Sequence, residues 1–301
     1  RYSWNNAKGC YTYMYEIQDA TGITRTYDPF NETAPIVMQT KTTQEDIYGN
    51  TTYTTTDSIF KMKQGKMVNT VATSTTASTD IFGNTSTSLS AVTNDYKEAG
   101  GKIILNSITT VSSQRGEDLF GGNWSTTPYT IVQDYSDLDK DGIYTYTYTI
   151  TYTDASGVTQ TIRNINPFDD KYNSNWASAL ANPFNFITKT TSTDIFGNAS
   201  ITLTTLTQTL YKGKFMTLNT ASNTSSTDIF GGTSSSSSTV TNNYAVIDGI
   251  ITLTTVVTVA SPQSGTDIYG NTWTQTSPTI TTQRYSWNNA KGCYTYMYEI
   301  Q

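Results

Sequence analysis

The sequence predicts an all-β protein: a long antiparallel meander of hairpin repeats wound into a continuous tube or shell. The first observation behind this prediction is an alternation of period two. Between Tyr144 and Tyr152, tyrosines and Ile150 share one face and threonines occupy the other. Successive side chains of a strand point to opposite faces, so this pattern is typical of a strand. Residues 201–210 and 250–259 alternate in the same way.

The second observation is a five-residue turn, Asp-Ile-Phe/Tyr-Gly-Asn. Its Asp can accept hydrogen bonds from backbone N–H groups two residues on, its Gly and Asn tolerate positive φ, and its apolar pair is expected to anchor the turn. Glycine turns of a second family, usually with lysine, lie midway between its copies, and two turn families predict the two edges of a meander. The first turn stands at residues 46–50, 80–84, 194–198 and 267–271, and in altered form at 118–123 and 228–232.

The third observation is internal repetition. Residues 1–18 and 284–301 are the same 18 residues, RYSWNNAKGCYTYMYEIQ, which gives a unit of 283 residues. Within that unit the turns recur at intervals of 148 or 149 residues, since Asp46 and Asp80 return as Asp194 and Asp228. The predicted organisation is therefore a first β half-unit of about eight strands at residues 1–133, a second at 134–283, and the start of the next unit at 284–301.

A meander of about sixteen strands must curl, split or close, because sheets twist. Nothing like a linker separates the half-units, which favours one continuous sheet. The alternatives are tandem eight-stranded barrels or sandwiches, or a parallel β-solenoid in which like turns stack. A helical turn is expected only in the insertion at residues 169–181, where Trp-Ala-Ser-Ala-Leu-Ala interrupts the alternation.

Composition excludes several classes of function. The chain has no histidine, so Ser-His-Asp and Cys-His catalysis and imidazole metal sites are excluded, and we expect no enzyme. With a net charge of −6, the chain has no positive electrostatic field that would attract nucleic acid. No apolar run is long enough for a membrane-spanning segment. Cys10 and Cys293 occupy the same place in successive units, so a disulfide between them is not expected; a buried thiol, or a link between units or chains, remains open.

One motif suggests a cofactor. Asp137, Asp139 and Asp141 alternate and are followed by Gly142, as in the first half of a calcium-binding loop. The closing Glu of an EF-hand loop is absent, so an Asp-rich β-turn is the alternative interpretation. Apart from this possible calcium ion, no cofactor is expected.

Two further patterns follow the organising turn. Asn50, Asn84, Asn123 and Asn198 each begin an Asn-X-Ser/Thr triplet, the acceptor for N-linked sugar, although the turn itself also needs Asn. In addition, residues 46–57 and the tyrosine-rich strand resemble the Rhs or YD-repeat proteins. That resemblance implies a long β-sheet wound into a shell, whereas the module of roughly 35 residues and the near-perfect long-range repetition favour an open polymer.

The sequence therefore predicts a structural repeat of an extracellular or cell-surface filament, tube or sheath, assembled from tandem 283-residue units. Its partners would be itself, as adjacent repeat units or neighbouring chains in a polymer. Two alternatives remain: a repetitive adhesin stalk, and an Rhs-like shell that encapsulates a toxin.

Overall fold

The computed structural model describes residues 2–5, 10–18, 24–29, 35–136, 144–247, 249–275, 277–288 and 293–301. It confirms the all-β class and the long antiparallel meander. Two compact lobes divide the chain. The first lobe comprises Arg1–Gln114 and Thr130–Thr149, and the second lobe comprises Arg115–Tyr129 and Ile150–Gln301.

Long strands of ten to sixteen residues account for most of the described chain. Residues rich in Thr, Val and Ile form them because β-branched side chains fit a pleated surface. In the amino-terminal part the strands are β1 (Tyr2–Asn5), β2 (Cys10–Tyr13), β3 (Tyr15–Gln18), β4 (Thr24–Tyr27), β5 (Ile36–Glu45), β6 (Thr51–Lys63), β7 (Lys66–Thr79), β8 (Thr85–Ala99), β9 (Lys102–Glu117), β10 (Asn123–Thr126), β11 (Tyr129–Ser136), β12 (Thr145–Thr153) and β13 (Thr159–Ile165).

Two short helices then interrupt the strands, inside the insertion where the sequence predicts a helical turn. The remaining elements are α1 (Asp170–Asn173), α2 (Trp176–Leu180), β14 (Phe184–Thr193), β15 (Ala199–Tyr211), β16 (Lys214–Thr227), β17 (Thr233–Ile247), β18 (Ile250–Ala260), β19 (Ser264–Thr266), β20 (Thr272–Thr274), β21 (Thr279–Asn288) and β22 (Cys293–Ile300). Across the described residues, neither helix is long and apolar enough to cross a membrane.

Strand pairing follows chain order in each lobe. In the first lobe β5, β6, β7 and β8 pair in sequence, and in the second lobe β14, β15, β16, β17 and β18 do the same before β18 pairs with β21 and β21 with β22. Every pairing described within a lobe is antiparallel. The parallel β-solenoid alternative is therefore wrong for these strands.

The two turn families occupy different ends of the strands, as the sequence predicts. At one end, two-residue turns with both residues at positive φ join consecutive strands: Gln64 and Gly65 have φ values of 47° and 76°, and Lys212 and Gly213 have 47° and 78°. This is the type I′ pattern, whose backbone twist matches that of the flanking strands. At the other end lie the Asp-Ile-Phe/Tyr-Gly-Asn turns, and Gly83 adopts the expected positive φ, 92°.

A β-bulge with the same pattern of hydrogen bonds occurs in both lobes. In the first lobe Thr70 is the extra residue, and the carbonyl of Asn69 accepts hydrogen bonds from Asn94 Nδ2 and from the Tyr96 hydroxyl, each at 3.0 Å. The neighbouring strand thus satisfies a backbone group that the bulge removes from the ladder. In the second lobe the same roles belong to Leu218, Thr217, Asn242 and Tyr244. The 148-residue repeat therefore extends to tertiary structure.

The helical insertion builds the best-packed core of the second lobe. Asn175 caps α2 by accepting a hydrogen bond from the backbone N–H of Ser178 at 2.9 Å. Ala179 of α2 is fully buried, and the hydroxyl of Thr209 on β15 donates to its carbonyl. Leu210, the next residue of β15, is also fully buried. The other buried apolar side chains of this lobe are Ile150, Ile165, Tyr172, Phe184 and Phe186.

Candidate functional site

The predicted calcium ligands cannot be placed. Asp137, Asp139 and Asp141 lie in residues 137–143, outside the described residues. Elsewhere in the described chain, no group of three or more His, Cys, Asp or Glu side chains is close enough to hold a metal ion. The calcium site remains a prediction.

The organising turn is a closed hydrogen-bonded unit. In the turn that starts at Asp80, one carboxylate oxygen accepts from the backbone N–H groups of Phe82 and Asn84 at 2.9 and 3.0 Å. The other carboxylate oxygen accepts from Asn84 Nδ2 at 2.8 Å. The turns that start at Asp46, Asp194 and Asp267 repeat all three contacts. The carboxylate is thus occupied by the turn itself.

The asparagine of one turn also connects it to the next. Asn50 Oδ1 accepts from the backbone N–H of Ile81 at 3.1 Å, and Asn198 Oδ1 accepts from Ile229 at 3.0 Å. Each side-chain amide therefore donates within its own turn and accepts from the following turn, which lies two strands away. These contacts give Asn50, Asn84 and Asn198 a structural role within the turn, independent of any sugar.

Two turns lack this link because glycine replaces the last asparagine. In the turn that starts at Asp228, one carboxylate oxygen accepts from Phe230 and Gly232 N–H groups at 2.9 and 2.8 Å. The other oxygen lies where a side chain would begin, since a Cβ on Gly232 would be 2.5 Å from it. The turn that starts at Asp118 has the same arrangement, with Gly122 in this position.

The apolar pair of the turn does not anchor it, contrary to the sequence-based expectation. Phe82 is 69% exposed and Tyr269 is 83% exposed, and the aromatic residues of the other turns are similarly exposed. The isoleucine has a packing role in three of the turns: an added Cβ would be 3.5 Å from the Ile81 methyl group at Gly49, 3.5 Å from that of Ile195 at Gly121 and 3.2 Å from that of Ile229 at Gly197, so these isoleucines lie against the glycine of the preceding turn. The turn projects beyond the strands, and its hydrogen bonds hold it instead.

The carboxyl groups of the asparagine-containing turns have lowered pKa values. The hydrogen bond from the Asn198 side chain, with further bonds from backbone N–H groups, holds the pKa of Asp194 below its ordinary value of 3.8. The pKa values of Asp46, Asp80 and Asp267 are lowered for the same reason. A lowered carboxyl pKa stabilises the folded state above pH 3.8, and this stabilisation is lost as the pH falls through the lowered value.

We expect Asp194→Asn to lower the melting temperature of the second lobe more than Asp228→Asn. The new side-chain amide would place its nitrogen against Asn198 Nδ2, so that two hydrogen-bond donors face each other. The turn that starts at Asp228 has Gly232 instead of an asparagine, so Asp228→Asn creates no such pair of donors. Thermal unfolding of both variants at neutral pH measures the difference. The difference should diminish as the pH falls through the lowered pKa of Asp194, because its native carboxylate then becomes protonated. Equal losses at neutral pH would contradict the role of the asparagine.

Hydroxyl rows cross the strands on one face of each lobe. Thr54 and Thr76 approach to 3.1 Å, and Thr202 and Thr224 to 2.8 Å. Such cross-strand pairs stabilise a sheet without any ligand. The other pairs in these rows are Thr52–Ser78, Thr56–Ser74, Ser192–Ser200 and Thr204–Ser222.

The opposite face of the second lobe carries a shallow groove of about 560 Å³. Lys189, Leu203, Asn223 and Ser237 lie in register across four of its strands. The groove offers one ammonium group, one amide and several hydroxyls beside aliphatic surface. Its lining residues include no carboxylate, thiol or imidazole, so they supply neither an acid/base pair nor an activated nucleophile.

Sequence reasoning missed the asparagine link between turns and the Asn/Tyr pair that holds each bulge. A signal for the second exists: Asn94-Asp-Tyr96 and Asn242-Asn-Tyr244 stand 148 residues apart. In comparisons with known proteins, no family model, no curated protein and no solved structure matched this chain.

Proposed function

We propose that this chain is a structural repeat of an extracellular or cell-surface filament, tube or sheath assembled from tandem 283-residue units. The observation that carries the proposal is the position of the unit junction. The repeated segment begins at Arg284, in the middle of β21, and β21 pairs with β18 of the preceding unit. Arg284 itself is in register with Thr255. Successive units would therefore join through a shared sheet, without a linker.

The repeated hairpin supports this proposal a second time. In β1 and β2, Tyr2 is opposite Tyr13 and Asn5 is opposite Cys10. In β21 and β22, the residues 283 positions later pair in the same register. The segment thus has the same hairpin structure at both places, and at the second it also extends a sheet. Repeated edge pairing of this kind builds a continuous, winding sheet.

The partner in this proposal is the chain itself, as adjacent units or neighbouring chains. Hydroxyl rows and self-contained turns give a sheet whose polar groups bond mainly to each other, as a stable fibre requires. The adhesin stalk would arrange the units as separate beads, and the Rhs-like shell would close around a cargo. The adhesin stalk does not use the pairing of β18 with the next unit as a repeating joint, and the shell would use it only in a sheet that closes instead of continuing along an axis.

Electron microscopy of chains that contain one, two and four units tests the proposal. We expect a single rod whose length increases in proportion to the number of units. Separate beads of constant size would favour the adhesin stalk, and a closed hollow particle would favour the shell. Either result would overturn the filament.

A backbone substitution at the joint sharpens the test. Ile280 exchanges both backbone hydrogen bonds with Gln301, at 2.9 and 2.8 Å, so the alternation of an antiparallel strand turns the N–H of Thr281 toward β18. Thr281→Pro removes that donor, and we expect it to convert the rod of a multi-unit chain into separated segments. Thr281→Val, which keeps the N–H and the β-branched shape, is the matched control. A rod that persists in the proline variant would contradict the joint.

A further inference from the structure

A group of three tyrosines recurs three times in the chain. Each group has one tyrosine on the first strand of a hairpin, a second tyrosine opposite it on the next strand, and a third two residues further along the chain. The diverged middle copy keeps all three even though Cys10 and Met14 of the first copy become Ile143 and Thr147. The groups are Tyr2, Tyr13 and Tyr15; Tyr135, Tyr146 and Tyr148; and Tyr285, Tyr296 and Tyr298.

The geometry of the three groups is nearly the same. The cross-strand rings are tilted by 46° to 52°, with centroids 5.6 Å apart for Tyr2 and Tyr13 and 5.4 Å apart for Tyr135 and Tyr146. In the third group the cross-strand centroids are 5.9 Å apart. The second and third rings of each group, two residues apart in the chain, meet edge to face with centroids 5.4 to 5.7 Å apart. The central tyrosine of each group, Tyr13, Tyr146 or Tyr296, thus contacts both of the others.

The first and third groups have rings that are accessible from solvent. Tyr2 is 77% exposed and Tyr296 is 55% exposed, so a small oxidant can reach them. Burial, and then the neighbouring Tyr146, raises the pKa of Tyr148. Phenylalanine would supply the same ring packing, as Phe184 and Phe186 do in the core. The Tyr13 hydroxyl donates to the Gly65 carbonyl at 2.9 Å, and what all three groups share is a cross-strand pair of phenol rings, the side chains that one-electron oxidants couple.

We propose that the cross-strand tyrosine pairs are sites of oxidative coupling to dityrosine. A one-electron oxidant, such as a haem peroxidase supplied with hydrogen peroxide, would remove one electron and one proton from each phenol. The two phenoxyl radicals would form a carbon–carbon bond between their ortho positions, and loss of the two ring protons to the phenolate oxygens would restore both phenols. In balance, two tyrosines and one hydrogen peroxide give one dityrosine and two waters.

Such a bond would join the two strands of each hairpin covalently. A cross-link of this kind restricts the unfolded chain and so resists thermal or mechanical opening. This inference does not depend on the filament proposal, because each pair lies within one hairpin.

Peroxidase oxidation of the dilute, purified 301-residue chain tests the inference. We expect dityrosine fluorescence from monomeric protein, together with a cross-linked peptide that joins Tyr135 to Tyr146 and has lost two hydrogen atoms. The triple variant Tyr13→Phe, Tyr146→Phe and Tyr296→Phe removes every central tyrosine and should lose most of this product. Its melting temperature before oxidation shows whether the hairpins remain folded.

The matched control is the double variant Tyr48→Phe and Tyr269→Phe, which removes two highly exposed tyrosines of the Asp turns. It should keep the full yield of dityrosine in the monomer. The inference is overturned if the native monomer forms no dityrosine, if the folded triple variant forms as much as the native chain, or if the mapped cross-links join Tyr48 and Tyr269 of different molecules instead.

Discussion

Leu210→Ala should lower the free energy of unfolding of the second lobe by about 2–5 kcal/mol, the usual cost of emptying a buried leucine site. Leu210 has no exposed surface, and it lies on β15 next to Thr209, which is also fully buried. Successive side chains of a strand point to opposite faces, and the Thr209 hydroxyl binds the carbonyl of Ala179 in α2, so β15 is covered on both faces and cannot shift easily to fill a cavity. Denaturant unfolding followed by circular dichroism measures the change.

The control for this prediction is Ile250→Ala. Ile250 also lies in a strand of the second lobe, but it is 69% exposed, so its truncation should have a small effect. A similar loss in the two variants would mean that Leu210 does not belong to the main core of the second lobe. The sequence could place the helical insertion, because its alternation breaks there, but it could not show which strand the helices cover.

Gly197→Val should destabilise the chain by at least ~1 kcal/mol through backbone strain alone. Gly197 has a φ of 88°, and a Cβ would come within 3.2 Å of the Ile229 methyl group of the next turn. Gly83→Val should show the same strain, since the φ of Gly83 is 92°. Thermal melting of each variant measures the cost.

A pair of alanine variants separates strain from contact. Gly231 has a φ of 92° and no atom within 4 Å of an added Cβ, so Gly231→Ala tests backbone strain alone. Gly197→Ala adds the contact with Ile229 to a similar strain. We expect Gly197→Ala to be the more destabilising substitution. The reverse order would show that successive turns do not pack on each other.

The candidate sites were predictable to different degrees. The residues of the organising turn were all visible in the sequence, and so was the capping role of Asp80, since it depends on groups only two to four residues away. The exposure of Phe82 was not predictable, because the sequence of a turn with an apolar pair is the same whether that pair is buried or exposed to solvent. The calcium prediction at Asp137, Asp139 and Asp141 remains untested by the described residues.

The sequence by itself determined the β class, the two turn families and the internal repeat. These depend on side-chain alternation, on positive φ at glycine and on residue identity, which are local properties of the chain. Only the tertiary structure decided that Asn50 bonds to Ile81, that Asn94 and Tyr96 hold the bulge at Asn69, and that Arg284 pairs with Thr255. Each of these contacts joins residues 25 or more positions apart, and strand register, which local sequence does not specify between distant segments, brings them together.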